Sequence, residues 1–288
     1  MTSAQNRTIL ICSGKGSVGK TTLTANLGIA LAKQGALTAV LDADFGLRNL
    51  DLLLGLENRI VYTAQDVLSG SCRLEQALVK HEQEPNLSLL PAGNPRMLEL
   101  LTPDDMKKIA GLLAEQFEYV LIDCPAGIED GFKNAAAACR EAIVVTTPEV
   151  SAVRDADRVI GLLQTRQIEP IQLVLNRVRP RMMANQEMLS VSDITDILAL
   201  PLLGLVQEDD QVIISTNRGE PLMLNGTRSP AGQAYTNVAR RLRGEEVPLV
   251  DPTSALSQRT VRGSAKTGSV SRNAAKSAVK AIKEIRTK

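Results

Sequence analysis

Residues 14 to 21 run Gly14-Lys15-Gly16-Ser17-Val18-Gly19-Lys20-Thr21 and fit the spacing G-x-x-x-x-G-K-[ST]. A loop of this composition turns successive backbone N–H groups toward one point, at the positive end of the helix that follows it. Phosphate oxygens are the chemistry such a cradle suits. Lys20 is expected to reach the β- and γ-phosphates of a nucleoside triphosphate, and the Thr21 hydroxyl to complete a Mg²⁺ shell. Lys15 adds a second cation inside the same loop. Spacing alone leaves it two roles: a solvated charge, or a group reaching a second nucleotide across a dimer interface.

Carboxylates at the ends of neighbouring strands must manage metal and water around such a site. Asp123 closes the apolar run Tyr119-Val120-Leu121-Ile122, and its expected role is to hold Mg²⁺. Asp44 follows the apolar run 38–42 and is the candidate for orienting the attacking water. Asp42, two residues earlier, competes for that role or supports the site structurally. The runs beginning at Asp44 and Asp123 both leave strands where a γ-phosphate would sit, which suits segments that rearrange on hydrolysis.

The elements that must position these groups alternate along the chain. Strands are expected at 8–12, 38–41, 87–90, 119–122, 142–146, 172–175 and 202–206, with helices between them. A helix over 20–34 would put Leu23, Leu27, Ala30 and Leu31 on one face, with Gly35 at its end. Thr102-Pro103-Asp104-Asp105 reads as an N-cap with proline at the first helical position, opening a helix that ends near Phe117. Helices over 151–165 and 229–243 complete the pattern. The fold class is α/β: a mostly parallel twisted sheet of about seven or eight strands, helices on both faces, of the phosphate-loop NTPase type.

Composition narrows the classes further. The 288 residues are 44% hydrophobic but only 2% aromatic, so the core must be Leu, Ile, Val and Ala. Cys12, Cys72, Cys124 and Cys139 show no paired spacing and read as reduced thiols of a cytosolic protein. No apolar run approaches the length of a membrane span, and residues 1–7 carry no signal-peptide core. The one histidine, His81, lies in a polar stretch, which argues against histidine-based catalysis.

The net charge of +1 conceals an asymmetry. Residues 254–288 hold nine basic residues and one acid, which makes them +8 against −7 for residues 1–253. The expected division is an ATPase domain over 1–250, a flexible Ser/Thr/Gly-rich linker over 251–273 and a basic tail over 274–288. Helical spacing in the tail would place Val279, Ile282 and Ile285 on one face beside a stripe of lysines, the layout of a helix lying on anionic lipid. No bulky Phe, Leu or Trp strengthens that face.

The loop Lys15-Gly16-Ser17-Val18-Gly19-Lys20-Thr21-Thr22, the run Asp-Ala-Asp-Phe-Gly-Leu-Arg-Asn-Leu-Asp at 42–51, Asp-Cys-Pro-Ala-Gly-Ile-Glu at 123–129 and Asn176-Arg177-Val178-Arg179 together resemble the deviant-Walker-A (ParA/MinD) family of phosphate-loop ATPases. The likeness spans about residues 7–245 and is greatest to the members that place the bacterial division septum. It implies an ATP-dependent homodimer hydrolysing ATP with Mg²⁺. Lys15 would act with Lys20 and Asp44 in catalysis and touch the phosphates of the opposite subunit. Gly16, Ser17, Val18, Gly19, Thr21 and Thr22 would bind ATP, and Asn176 the adenine edge. Thr21, Asp123 and Asp44 would serve the metal. It further implies a cytoplasmic protein attached peripherally to the inner membrane, a MinE-like activator and a MinC-like division inhibitor. Relatives acting in plasmid partition on DNA, or in flagellar number control, share the first motif and remain alternatives. Most members carry Gly where this chain has Ser17. If that position needs positive φ, serine there costs about 1 kcal/mol.

Overall fold

Successive side chains of one strand enter different cores, as a sheet covered on both faces demands. In β1 (Arg7–Cys12), Leu10 and Cys12 join one apolar cluster while Ile9 and Ile11 join another. The computed structural model describes residues 6–45, 48–93 and 101–253.

β1 leads through the glycine-rich loop into α1 (Lys20–Lys33), and the chain returns as β2 (Thr38–Asp42). Short helices α2 (Leu50–Leu53), α3 (Ala64–Leu68) and α4 (Leu74–Ala77) precede β3 (Val79–Lys80) and β4 (Leu87–Leu90). Helix and strand then alternate through α5 (Pro103–Ala114), β5 (Tyr119–Asp123), α6 (Asp130–Ala137), β6 (Glu141–Thr146), α7 (Val150–Thr165) and β7 (Ile171–Val178). α8 (Pro180–Ala184) and α9 (Val191–Leu198) lead to β8 (Leu202–Gln207). α10 (Asp210–Asn217), α11 (Leu222–Asn225) and α12 (Pro230–Leu242) follow.

The eight strands lie in the order β3-β4-β2-β5-β1-β6-β7-β8. Every neighbouring pair is parallel except β3–β4. The expected parallel α/β sheet is therefore present. β3 escaped the sequence reading because two residues carry no periodicity. β1 sits between β5 and β6, so the loop after it opens at the carboxyl ends of the central strands, where open α/β sheets bind ligands.

Two expectations need correction. α1 does not bury a single stripe: Leu23, Ala25, Leu27, Ile29 and Leu31 are all inside, because the helix is held between the sheet and α2, α11 and α12. The helix opened by Thr102 ends at Ala114 rather than near Phe117. One further helical bond, from the Phe117 N–H to the Leu113 carbonyl at 3.0 Å, turns Phe117 into the core. The Thr102 cap itself is as read, accepting the Asp105 N–H at 3.2 Å with Pro103 at the first helical position.

Candidate functional site

The start of α1 differs from the starts of α5, α9 and α12. Those three begin under Thr102, Ser190 and Ser229, each accepting the N–H of the third helical residue. α1 begins at Gly19, in the left-handed region at φ 99°, with no side chain capping its first turn. Its leading N–H groups face the hollow of the loop, at the positive end of the helix dipole. That is an anion cradle.

Two glycines are required by close approach. A Cβ on Gly19 would lie 2.2 Å from Asn176 Nδ2, and one on Gly14 would lie 2.1 Å from the Asp155 carbonyl oxygen on α7. Ser17 stands in the loop at φ 62°, so the strain anticipated for a serine at this position is present.

The two lysines part company. Lys20 is buried, and its Nζ donates to Ser13 Oγ at 2.9 Å. Ser13 Oγ in turn donates to the Lys15 carbonyl at 2.7 Å, which ties the two ends of the loop together. Lys15 is half-exposed, and its Nζ lies 3.3 Å from both Glu149 Oε2 and Ser151 Oγ at the start of α7.

Parallel pairing of β2 and β5 sets Asp42 directly beside Asp123. Asp123 is buried and accepts the Thr24 hydroxyl at 3.1 Å and the Thr21 hydroxyl. Burial pushes its carboxyl up to about 6, against the lowering pull of Thr21, Lys20 and Thr24. Asp42 is pushed up to about 8, first by burial and then by the charge of Asp123. Both of its oxygens are taken by the backbone: Oδ1 accepts the Asp44 N–H at 2.9 Å and Oδ2 the Leu50 N–H at 3.3 Å. Asp42 therefore fastens the segment carrying Asp44, the structural member of the pair. Asp44 itself is half-buried beyond the strand end.

The donor set fits a small, hard cation only in company. No group of three or more His, Cys, Asp or Glu among the described residues could hold a metal by itself. One hydroxyl, Thr21, next to one carboxylate, Asp123, suits Mg²⁺, which takes few protein ligands and completes its shell with phosphates and water.

Beside the loop, a cavity of about 280 Å³ opens between Gly19, Thr22, Asn176, Tyr235 and α10. The Asn176 side-chain amide donates to the Val18 carbonyl at 2.7 Å, joining the loop to β7 and leaving its own Oδ1 toward the cavity side of the loop. The structure thus brings Lys20, Thr21, Thr22, Asp123, Asp44 and Asn176 around one mouth, with Lys15 drawn toward α7.

Ser13, Thr24, Glu149 and Ser151 were missed from sequence. Thr24 had a signal: three residues after Thr21, it shares a helical face with it. Glu149 and Ser151 had none, since they reach Lys15 from 134 and 136 residues away. His81 lies in a polar stretch but is buried, its Nδ1 accepting the Glu84 N–H at 3.2 Å. Cys12, Cys124 and Cys139 are buried free thiols, Cys12 pushed by burial up to about 12. The linker and the tail residues Val279, Ile282 and Ile285 lie outside the described residues. No helix among those described is long and apolar enough to cross a membrane.

This geometry agrees with what the chain is similar to. Residues 9–222 match the family model described as the CobQ/CobB/MinD/ParA nucleotide binding domain. The chain belongs to that family. Within it, the septum site-determining protein MinD of Synechocystis is 56% identical over 246 residues, covering 85% of this chain and 92% of that protein. The MinD chain in the MinC:MinD cell division complex of Aquifex aeolicus is 46% identical at a TM-score of 0.80, over 85% of this chain and 98% of that one. MinD of Pyrococcus horikoshii, solved with Mg-ADP, is 31% identical at a TM-score of 0.75, over 82% and 96% of the two chains. The MinD branch of the family is thus matched along nearly the whole length of its members.

Proposed function

We propose that the protein is a Mg²⁺-dependent ATP hydrolase of the MinD type, which pairs on ATP, attaches to an anionic membrane and helps to place the division septum. The observation that carries the reading is the uncapped start of α1 facing a loop in which Lys20 is buried beside the Thr21–Asp123–Thr24 cluster.

In this reading the loop amides and Lys20 bind the triphosphate, and Thr21 with Asp123 holds Mg²⁺, which supplies neutralisation of the phosphate oxygens when bound. Asp44 orients the attacking water and lies near enough to assist at the metal. Little covalent work is asked of the protein, so positioning and charge carry the rate. Lys15 must leave Glu149 to serve the partner's phosphates. The pair it leaves is a part-exposed surface contact worth about 0–1 kcal/mol, which is no obstacle.

Pairing would bring two weak basic tails to one membrane, and two hold where one does not. A MinC-like inhibitor and a MinE-like activator are the partners this reading implies. The Aquifex relative solved with MinC supports the first.

The test is sedimentation of the full chain with phosphatidylglycerol vesicles, alongside steady-state ATPase. Pelleting in Mg-ATP but not Mg-ADP, lost together with hydrolysis in Lys15→Ala, is the expected result. Equal pelleting in both nucleotides, or ATP-dependent retention on DNA with a steep salt slope instead of on vesicles, would overturn it.

A further inference from the structure

The nucleotide-side cavity holds a carboxylate oxygen that no protein group satisfies. Asp209 lines the cavity with Asn176, Tyr235 and α10. Its Oδ1 is committed: as the N-cap of α10 it accepts the Gln211 N–H at 2.9 Å. Its Oδ2 is buried and has no hydrogen-bond partner among the described residues. Buried polar atoms in folded proteins are almost always paired, and an exception at a ligand cavity calls for a ligand donor.

The chemistry of that donor is narrow. Oδ2 can only accept, and with Oδ1 already occupied Asp209 offers one acceptor, not two. A carboxylate that reads guanine does so with both oxygens, one for N1–H and one for the 2-amino group. Adenine presents a single exocyclic amine. We infer that Asp209 is a specificity-determining residue, whose free Oδ2 accepts the 6-amino group of the bound base and selects adenine over guanine and hypoxanthine.

Two features of the fold support this role. Asp209 stands between the end of β8 and the start of α10, so its cap bond to Gln211 holds the carboxylate in one orientation. α10 buries none of its own residues and can give enough to admit a base against Oδ2. Val212 and Ile213 on α10 and Tyr235 on α12 supply apolar walls for the ring. Asn176, on the opposite side of the cavity, is tied to the phosphate loop, so base and phosphate recognition share one support.

The inference rests on the reading of this site as one for a nucleoside triphosphate, and the test separates the two. Asp209→Asn keeps a good N-cap for α10 but replaces the acceptor by an amide N–H, which repels the 6-amino group and matches a 6-oxo group. Binding of ATP, GTP and ITP to the full chain would be measured calorimetrically for wild type and variant, with thermal unfolding as the control for folding. The wild type should prefer ATP, and the variant should lose about tenfold in ATP affinity while its ITP-to-ATP ratio rises by about tenfold or more. Asp209→Ala, which removes the acceptor without adding a donor, should weaken ATP without improving ITP. An unchanged ITP-to-ATP ratio in Asp209→Asn would refute the inference and leave the site reading intact. A wild type that binds none of the three would refute the site reading itself.

Discussion

The phosphate side and the base side of the cleft are built on opposite plans. On the phosphate side, Lys20, Asp42 and Asp123 are buried ionisable groups held by β1, β2, β5 and α1, and the backbone is strained at Ser17. On the base side, β7 and β8 meet α10, a helix with none of its residues buried. The first is a rigid charge trap, in which each group leans on its neighbours. The second is a yielding pocket whose polar groups act almost one at a time. Removing a part should therefore be nearly all-or-none on the first and graded on the second.

The largest effect is expected for Lys20→Ala. Its Nζ is buried against Ser13, and truncation leaves the cradle without its fixed charge, so ATP affinity measured by calorimetry should fall by more than about 100-fold. A loss of tenfold or less would make the phosphate side as graded as the base side.

Asp42→Asn tests whether the charge trap is also a positioning device. One backbone N–H, of Asp44 or of Leu50, loses its acceptor, so hydrolysis should fall by about tenfold or more while the KM for ATP changes less than about threefold. The same variant carries a pH signature in the nucleotide-free protein. Asp42 is raised from an ordinary 3.8 to about 8, so its folded state favours the proton. The stability it contributes is complete below the unfolded value and lost as pH rises through about 8. Asparagine cannot ionise. The variant's thermal midpoint should therefore gain on the wild type as pH climbs from 5 to 8, and a constant gap would exclude Asp42 as the source.

On the base side, Asn176→Ala should weaken ATP by about tenfold, through loss of the Val18 tie and of one polar contact to the base, with kcat within about threefold. A hundredfold fall would mean that the two halves are coupled more tightly than their packing implies.

The smallest effect belongs to Ser17→Gly. Relief of the left-handed serine should stabilise the free protein by less than about 1 kcal/mol, because glycine also gains freedom in the unfolded chain. Denaturant unfolding would read it, and a destabilised variant would show that the serine hydroxyl has a partner outweighing its backbone strain.

The difference between the two plans also explains what could be read in advance. The phosphate loop, its helix and the acids at 44 and 123 are local in the chain: each is a few residues after an apolar strand, and period and punctuation reveal them. The parallel α/β sheet was legible for the same reason, while β3 was too short to show itself and α1 proved buried on all sides, because neighbouring elements from elsewhere in the chain cover its second face. Asn176 was named by likeness, but its bond to Val18 spans 158 residues and no local pattern announces it.

The amino-acid sequence alone determined that this chain makes a glycine-lined cradle for phosphate, with the cation and carboxylates such a site needs, because those groups follow one another within single strand-loop-helix units. Tertiary structure alone decided how they divide the work. Parallel pairing placed Asp42 against Asp123, the backbone took up both oxygens of Asp42, α7 drew Lys15 to Glu149, and the turn into α10 left one oxygen of Asp209 facing the base cavity. Such assignments depend on which distant strands end side by side. Hydrogen-bond geometry settles them within an ångström, a precision that residue spacing along a chain does not carry.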